Sequence, residues 1–150
     1  MSLDFPDKLL NSFADKYVHE LGTQFVAVEL PEDIERGELG RCFDNSLLQV
    51  LKSKGKYRYV EGFAYTPTKK EWVHHGWMTD DTGVLAFDPT WKALGKDGKT
   101  EYGLYHAGFV YVGVVMDTQK VLDFVLDTEY CSVFEHYKKN EELAKKIFTS

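Results

Sequence analysis

Apolar positions along the chain change period several times, and each change predicts an element. In FPDKLLNSFADKYVHELG, the residues Leu9, Leu10, Phe13, Tyr17 and Leu21 recur at helical spacing and Gly22 follows, which predicts an amphipathic helix. TQFVAVELP reads as a short strand or extended segment. The polar EDIERGELGR, with Gly37 and Gly40, reads as a loop. From Cys42 the period is helical again: Phe43, Leu47, Val50 and Leu51 share a face of CFDNSLLQVLKSKG, with lysines and Gly55 at its end. Cys42 therefore falls in the first turn of a helix.

Three β-like runs follow, KYRYVEGFAY, EWVHHGWM and VLAFD, separated by the turn-rich TPTKK and TDDTG. A meander is the simplest topology for them. After the polar loop KALGKDGKTEYG, the run LYHAGFVYVGVVM is apolar and β-branched enough for a buried strand. From Asp117 onward the chain reads as mainly helical, with Val121, Leu122, Val125, Val133, Phe134, Tyr137, Leu143 and Ile147 as its apolar positions. Neither a repeat nor a linker interrupts this order, so residues 1–150 read as one α+β domain.

Composition narrows the partners. With 43% hydrophobic and 28% charged residues of mixed sign, the chain has the profile of a folded domain with its own core. A formal net charge of -6 gives no basis for gripping a phosphate backbone, so nucleic acid is not an expected partner. The start lacks a basic stretch followed by an apolar one, and no segment approaches the roughly 18 apolar residues of a membrane span. A cytoplasmic protein without membrane contact is expected, with Cys42 and Cys131 as free thiols. No Cys-x-x-Cys or His-x-x-x-His pair occurs, and adjacent strand residues point to opposite faces, so His74 and His75 cannot aim at one ion. Neither a metal nor another cofactor is expected.

The position of Cys42 is chemically suggestive. A cysteine nucleophile works as a thiolate, and free N–H groups in the first turn of a helix stabilise an anion. Such a thiolate needs a histidine partner, and the histidine needs something to orient it. If TDDTG closes as a four-residue loop from Asp80 to Gly83, Met78 faces Leu85, Trp77 faces Ala86 and His75 faces Asp88. Opposed residues share a face, so Asp88 would accept a hydrogen bond from His75 and favour its imidazolium form. Pro89 ends the strand after Asp88. His74 points the other way and is expected to be a packing or surface residue. Its replacement is expected to leave the reactivity of Cys42 nearly intact.

Cys42, His75 and Asp88 thus have the order and chemistry of a nucleophile, a base and an orienter. Attack of Cys42 on an amide carbonyl would give a thioester, with the Cys42 N–H as a first oxyanion donor. Gln24, Asn11 and Asn45 are amide side chains and thus candidates for a second one, though structural hydrogen bonding is the commoner use. Trp91, Trp77 and Asn45 are the candidates for touching substrate, with Trp91 as a cleft wall. Glu61 is either a second acid near the helix start or an ordinary exposed strand residue. Cys131 is expected in the core.

GRCFD at Gly40–Asp44, HGW at His75–Trp77 and FDPTW at Phe87–Trp91 resemble the G-x-C, H-x-W and D-P-T signatures of the transglutaminase-like branch of papain-fold cysteine enzymes. They are also similar to motifs of small uncharacterised bacterial and phage proteins. The likeness covers about residues 40–91. It implies a papain-like core, a nucleophile-bearing helix packed on an antiparallel sheet, with flanking helices and with Cys42, His75 and Asp88 in the catalytic roles. It also implies a protein, peptide or other amide substrate, to be hydrolysed or acylated onto an acceptor. No dense acidic calcium loop is present, which disfavours a calcium-switched crosslinker. Two rivals are an acyltransferase that uses a thioester donor, and an inactive binding module of the same fold that captures a protein partner.

Overall fold

The structure is a computed structural model and describes residues 5–148. Helix α1 (Ser12–Leu21) starts where the Asn11 side chain accepts the Ala14 N–H. Strand β1 (Thr23–Ala27) follows, and then a long loop leads to α2 (Cys42–Lys52). Strands β2 (Arg58–Thr66) and β3 (Glu71–Thr79) form a hairpin. Short pairings β4 (Leu85–Ala86), β5 (Ala93–Leu94) and β6 (Glu101–Tyr102) precede the long β7 (Val110–Met116). Helix α3 (Thr118–Thr128), α4 (Val133–His136), a 3-10 turn over Tyr137–Lys139 and α5 (Glu141–Lys146) complete the described chain.

The main sheet has the order β3-β2-β7-β1-β4, antiparallel except for the parallel pair β1–β4. The residues after β4 return to β3, where Met78 and Phe87 exchange two backbone hydrogen bonds of 2.9 and 2.8 Å. The sheet therefore curls back on itself. Two glycines permit the curl: Gly62 and Gly113 lie opposite one another on β2 and β7, and His75 lies opposite Gly62 on the other side. A Cβ on Gly113 would sit 2.7 Å from the Trp77 ring, and one on Gly62 would sit 2.3 Å from the Val112 carbonyl oxygen.

Strand alternation divides the core in two. Tyr59, Phe63, Met78, Val112, Val114 and Met116 face the helices, where they meet residues such as Phe13, Leu47, Val50, Phe124 and Phe134. Phe25, Val60, Ala64, Trp77, Ala86 and Tyr111 face the hollow of the curled sheet. His74 takes the helix side and His75 the inner side.

The sequence expectations need four corrections here. Of the meander only the β2–β3 hairpin and the Met78–Phe87 bridge are present, because β4 crosses over to pair parallel with β1. Met78 faces Phe87 instead of Leu85, a displacement of two positions. Two residues is one full strand period, so each side chain keeps its face. LYHAGFVYVGVVM becomes strand only at Val110, and the C-terminal run breaks at Cys131 and again at Asn140. The polar loop KALGKDGKTEYG also carries the small β5–β6 hairpin.

The Glu61 carboxylate explains how the C-terminal segment docks. It is fully buried and accepts from Ser132 Oγ at 2.6 Å, the Val133 and Phe134 N–H groups at 2.9 Å each, Tyr59 Oη at 3.2 Å and His74 Nε2 at 3.1 Å. Glu61 is thus not an exposed strand residue, and it lies on the face of the sheet opposite to that of His75. It ties α4 to β2 and β3. Removing it orphans several buried donors at once, so Glu61→Ala is expected to cost about 3 to 5 kcal/mol of stability, measured by urea unfolding. A loss below about 1 kcal/mol would show that the docking is held by the apolar contacts alone.

Candidate active site

Gly37, Gly40 and Pro89 bring the helix start and the strand end together. The Gly37 N–H donates to the Pro89 carbonyl at 2.8 Å, and Gly40, with φ at +82°, turns the chain into α2 through backbone that favours glycine. Asn45, one turn into α2, donates through Nδ2 to the Glu38 carbonyl at 2.8 Å and to Thr90 Oγ1 at 2.9 Å. Phe43 packs so closely on Gly76 that a Cβ there would lie 2.8 Å from the Phe43 ring. Cys42, the first residue of α2, is partly exposed, and its backbone N–H has no acceptor among the described residues.

His75 and Asp88 form the buried half of the site. His75 Nε2 lies 2.7 Å from Asp88 Oδ2, with both side chains almost wholly buried. Tyr111 Oη donates to the same oxygen at 2.6 Å, and the Thr90 and Trp91 N–H groups donate to Oδ1 at 2.9 and 3.1 Å. Each oxygen of the carboxylate is met from two directions. Trp91 covers the imidazole in a stack with 3.6 Å between ring centroids and 16° between planes. With Nε2 committed to Asp88, Nδ1 is the nitrogen that remains for the Cys42 thiol.

The charges follow from this packing. Burial lowers the pKa of His75, but the charge and hydrogen bond of Asp88 outweigh it, and Cys42 adds to the rise, which reaches about 9. Burial raises the pKa of Asp88, but His75, Tyr111 and the Thr90 N–H hold it below its ordinary value. Burial, together with Asp88, pushes the Tyr111 hydroxyl well above its ordinary value, so it stays a donor. The pair is therefore an imidazolium beside a carboxylate. At the other cysteine, Cys131, burial pushes the thiol up to about 12, with Asp44 adding to the effect. Cys131 sits outside any helix, partly buried against the helix-side core.

The structure also separates the other expected residues. Trp91 borders open space on two sides, whereas Trp77 is fully buried beneath His75 and packs edge-on against Phe25 and Tyr111. Trp77 is thus a support, out of reach of a ligand. Asn45 spends its amide donors on Glu38 and Thr90, which makes it a brace for the helix start. Asn11 caps α1 and donates to the Phe134 carbonyl at 2.8 Å, and Gln24 lies exposed on the His74 face of the sheet, so neither faces the His75 imidazole. His74 is a packing residue whose ring lies 4.8 Å from Phe43, next to Cys42. It is therefore less neutral a control than expected.

Tyr111 and Arg36 were missed from the sequence. The signal for Tyr111 was present: a tyrosine alternating with Phe109 and Gly113 on a buried strand needs a partner for its hydroxyl. Arg36 donates to the Trp91 carbonyl and pairs with Glu101 at 2.7 Å, and nothing in the spacing of these residues announces that link.

No family model, curated protein or solved structure matches the chain. Among the described residues no group of three or more His, Cys, Asp or Glu is arranged to hold a metal ion, and no helix is long and apolar enough to cross a membrane.

The raised pKa of His75 makes stability depend on pH in a definite sense. Its contribution is fully present below about pH 6.5, the value for the unfolded chain, and is lost as pH rises through about 9. Between those limits the loss is on the order of 3 kcal/mol. Urea unfolding of wild type and His75→Gln across this range should show a decline in wild type that the variant lacks. Parallel curves would mean that His75 is neutral in the folded protein.

Proposed function

We propose that the protein is a cysteine-dependent acyl-transfer enzyme of the transglutaminase-like, papain-fold type, acting on an amide bond of a protein or peptide. The observation that carries this reading is the charged His75–Asp88 pair set beside a partly exposed cysteine at a helix N-terminus. Three donors besides His75 hold the Asp88 carboxylate, and a thiolate needs the fixed cationic neighbour that such a pair supplies. The curled sheet with a nucleophile-bearing helix on its outer face agrees with the fold that the motif resemblance implies.

In the proposed cycle, Cys42 and His75 act as a thiolate–imidazolium pair. Sγ attacks the amide carbon, and the carbonyl oxygen, now anionic, accepts the free Cys42 N–H. His75 gives its Nδ1 proton to the leaving nitrogen as the C–N bond breaks, which leaves a thioester and a neutral imidazole. Water, or an amine acceptor, then loses a proton to His75 as it attacks the thioester carbon. The carboxylic acid or a new amide leaves, and the ion pair is restored. Asp88 holds the ring orientation and the charge throughout, and Tyr111 and the turn amides hold Asp88.

Residue-resolved alkylation with iodoacetamide tests this. Cys42 is expected to react at pH 6 while Cys131 stays silent, and His75→Ala is expected to slow Cys42 by about tenfold or more at that pH. Incubation with an activated ester should leave an acyl group on Cys42, and its release by water or by an added amine decides between hydrolysis and transfer. A Cys42 that reacts no faster than an ordinary thiol would remove the enzyme reading and favour a binding module.

A further inference from the structure

Trp91 covers His75 with one face and borders two concavities that the triad chemistry leaves unassigned. The larger, of about 710 Å³, runs between the loop before Cys42, the β2–β3 turn and the segment after Thr90. Its apolar lining is Leu39, Val73, Trp91, Leu94 and Phe109. Val73 lies on the same face of β3 as His75, two residues away, so the groove and the imidazole share one surface and are separated by the indole. Leu39 is 76% exposed and Leu94 48%, large apolar groups left at the rim of a concave site.

The charge on this groove is opposite to that of the chain. Arg36, Lys69 and Lys92 line it against Glu71 alone, although the protein carries a net charge of -6. The Arg36 charge is met by Glu101, but Lys69 and Lys92 make no ion pair among the described residues. The second concavity, of about 260 Å³, lies on the other side of the Arg36–Trp91–Lys92 ridge and is lined by Glu29, Glu101 and Asp88 as well. The basic character is thus confined to the apolar side.

We propose that the larger groove receives an extended polypeptide segment, with an apolar side chain seated against Trp91 and Phe109 and a neighbouring acidic side chain facing Lys69 and Lys92. This deepens the enzyme reading, since the segment would be the part of the substrate that lies beside the reacting bond. Local positive charge on an acidic protein attracts acidic partners and repels basic ones, so its effect is on selection more than on tightness.

Binding to the Cys42→Ser chain tests the groove without turnover. The probes are four fluorescein-labelled octapeptides: three have Glu, Ala or Lys before a central leucine, and the fourth has Glu before serine. Fluorescence anisotropy at low salt should rank the leucine peptides Glu, Ala, Lys, with Glu over Lys by about five- to tenfold. The Glu–serine peptide should bind more weakly than its leucine counterpart, and added salt should compress the charge ranking. In the Lys69→Glu/Lys92→Glu double variant, whose changes fall on exposed side chains, the order of Glu and Lys should reverse. Equal binding of all four, no binding up to about 1 mM, or a ranking that survives the charge reversal would overturn the proposal. Thiol reactivity does not enter this assay, so a failed groove and a failed triad are told apart.

Discussion

A buried carboxylate is tolerated only when its oxygens are met, and Asp88 is the point on which the inner face of this protein is organised. His75, Tyr111, Thr90 and Trp91 converge on it from three separate stretches of chain. β3 supplies the imidazole, β7 the phenol, and the Asp-Pro-Thr-Trp turn supplies its own two amides. If the sheet did not curl, β7 and the segment after β4 would not meet over β3. The Gly62–Gly113 pair that makes room for Trp77 and the curl is therefore as much a part of the site as the residues that touch the imidazole.

The adjacent histidines turn out to be used twice, on opposite faces of one strand. His75 meets Asp88 in the hollow of the sheet, and His74 meets Glu61 on the helix side. Each carboxylate gathers several further donors from distant chain. Glu61 fixes the start of α4 against β2, and His74 lies between that anchor and Phe43, the neighbour of Cys42. The helix that carries the cysteine and the strand that carries the imidazole are thus locked together from both sides. Asn45 and Gly37 add ties to the Asp88 turn. Such bracing limits how far the Cys42 thiol and the His75 imidazole can move relative to one another.

Local period was enough to read α1, α2, β2, β3 and β7, and to place Cys42 at a helix start, because each of these segments buries one face. It was also enough to put His75 and Asp88 on a common face. That conclusion survived a register error of two residues, since two is the strand period. The error itself came from treating TDDTG as a closed hairpin loop, when Val84 and Ala86 instead offer their carbonyls to β1. Parallel pairing with a strand some sixty residues earlier leaves no local mark. Trp77 and Asn45 were misplaced for a related reason: composition says that tryptophan and asparagine line clefts, but only the packing shows which indole is underneath and which amide is already bonded.

The proposed chemistry depends on His75 being an imidazolium because Asp88 is ionised beside it. NMR titration of the His75 ring nitrogens and carbon-bound protons, in wild type and Asp88→Asn, measures that directly. The expected result is a ring that stays protonated well past pH 7 and titrates near 9 in wild type, and whose titration falls well below that once the carboxylate is replaced and only Cys42 opposes the effect of burial. A wild-type His75 already neutral at pH 7, or one unmoved by Asp88→Asn, would contradict it.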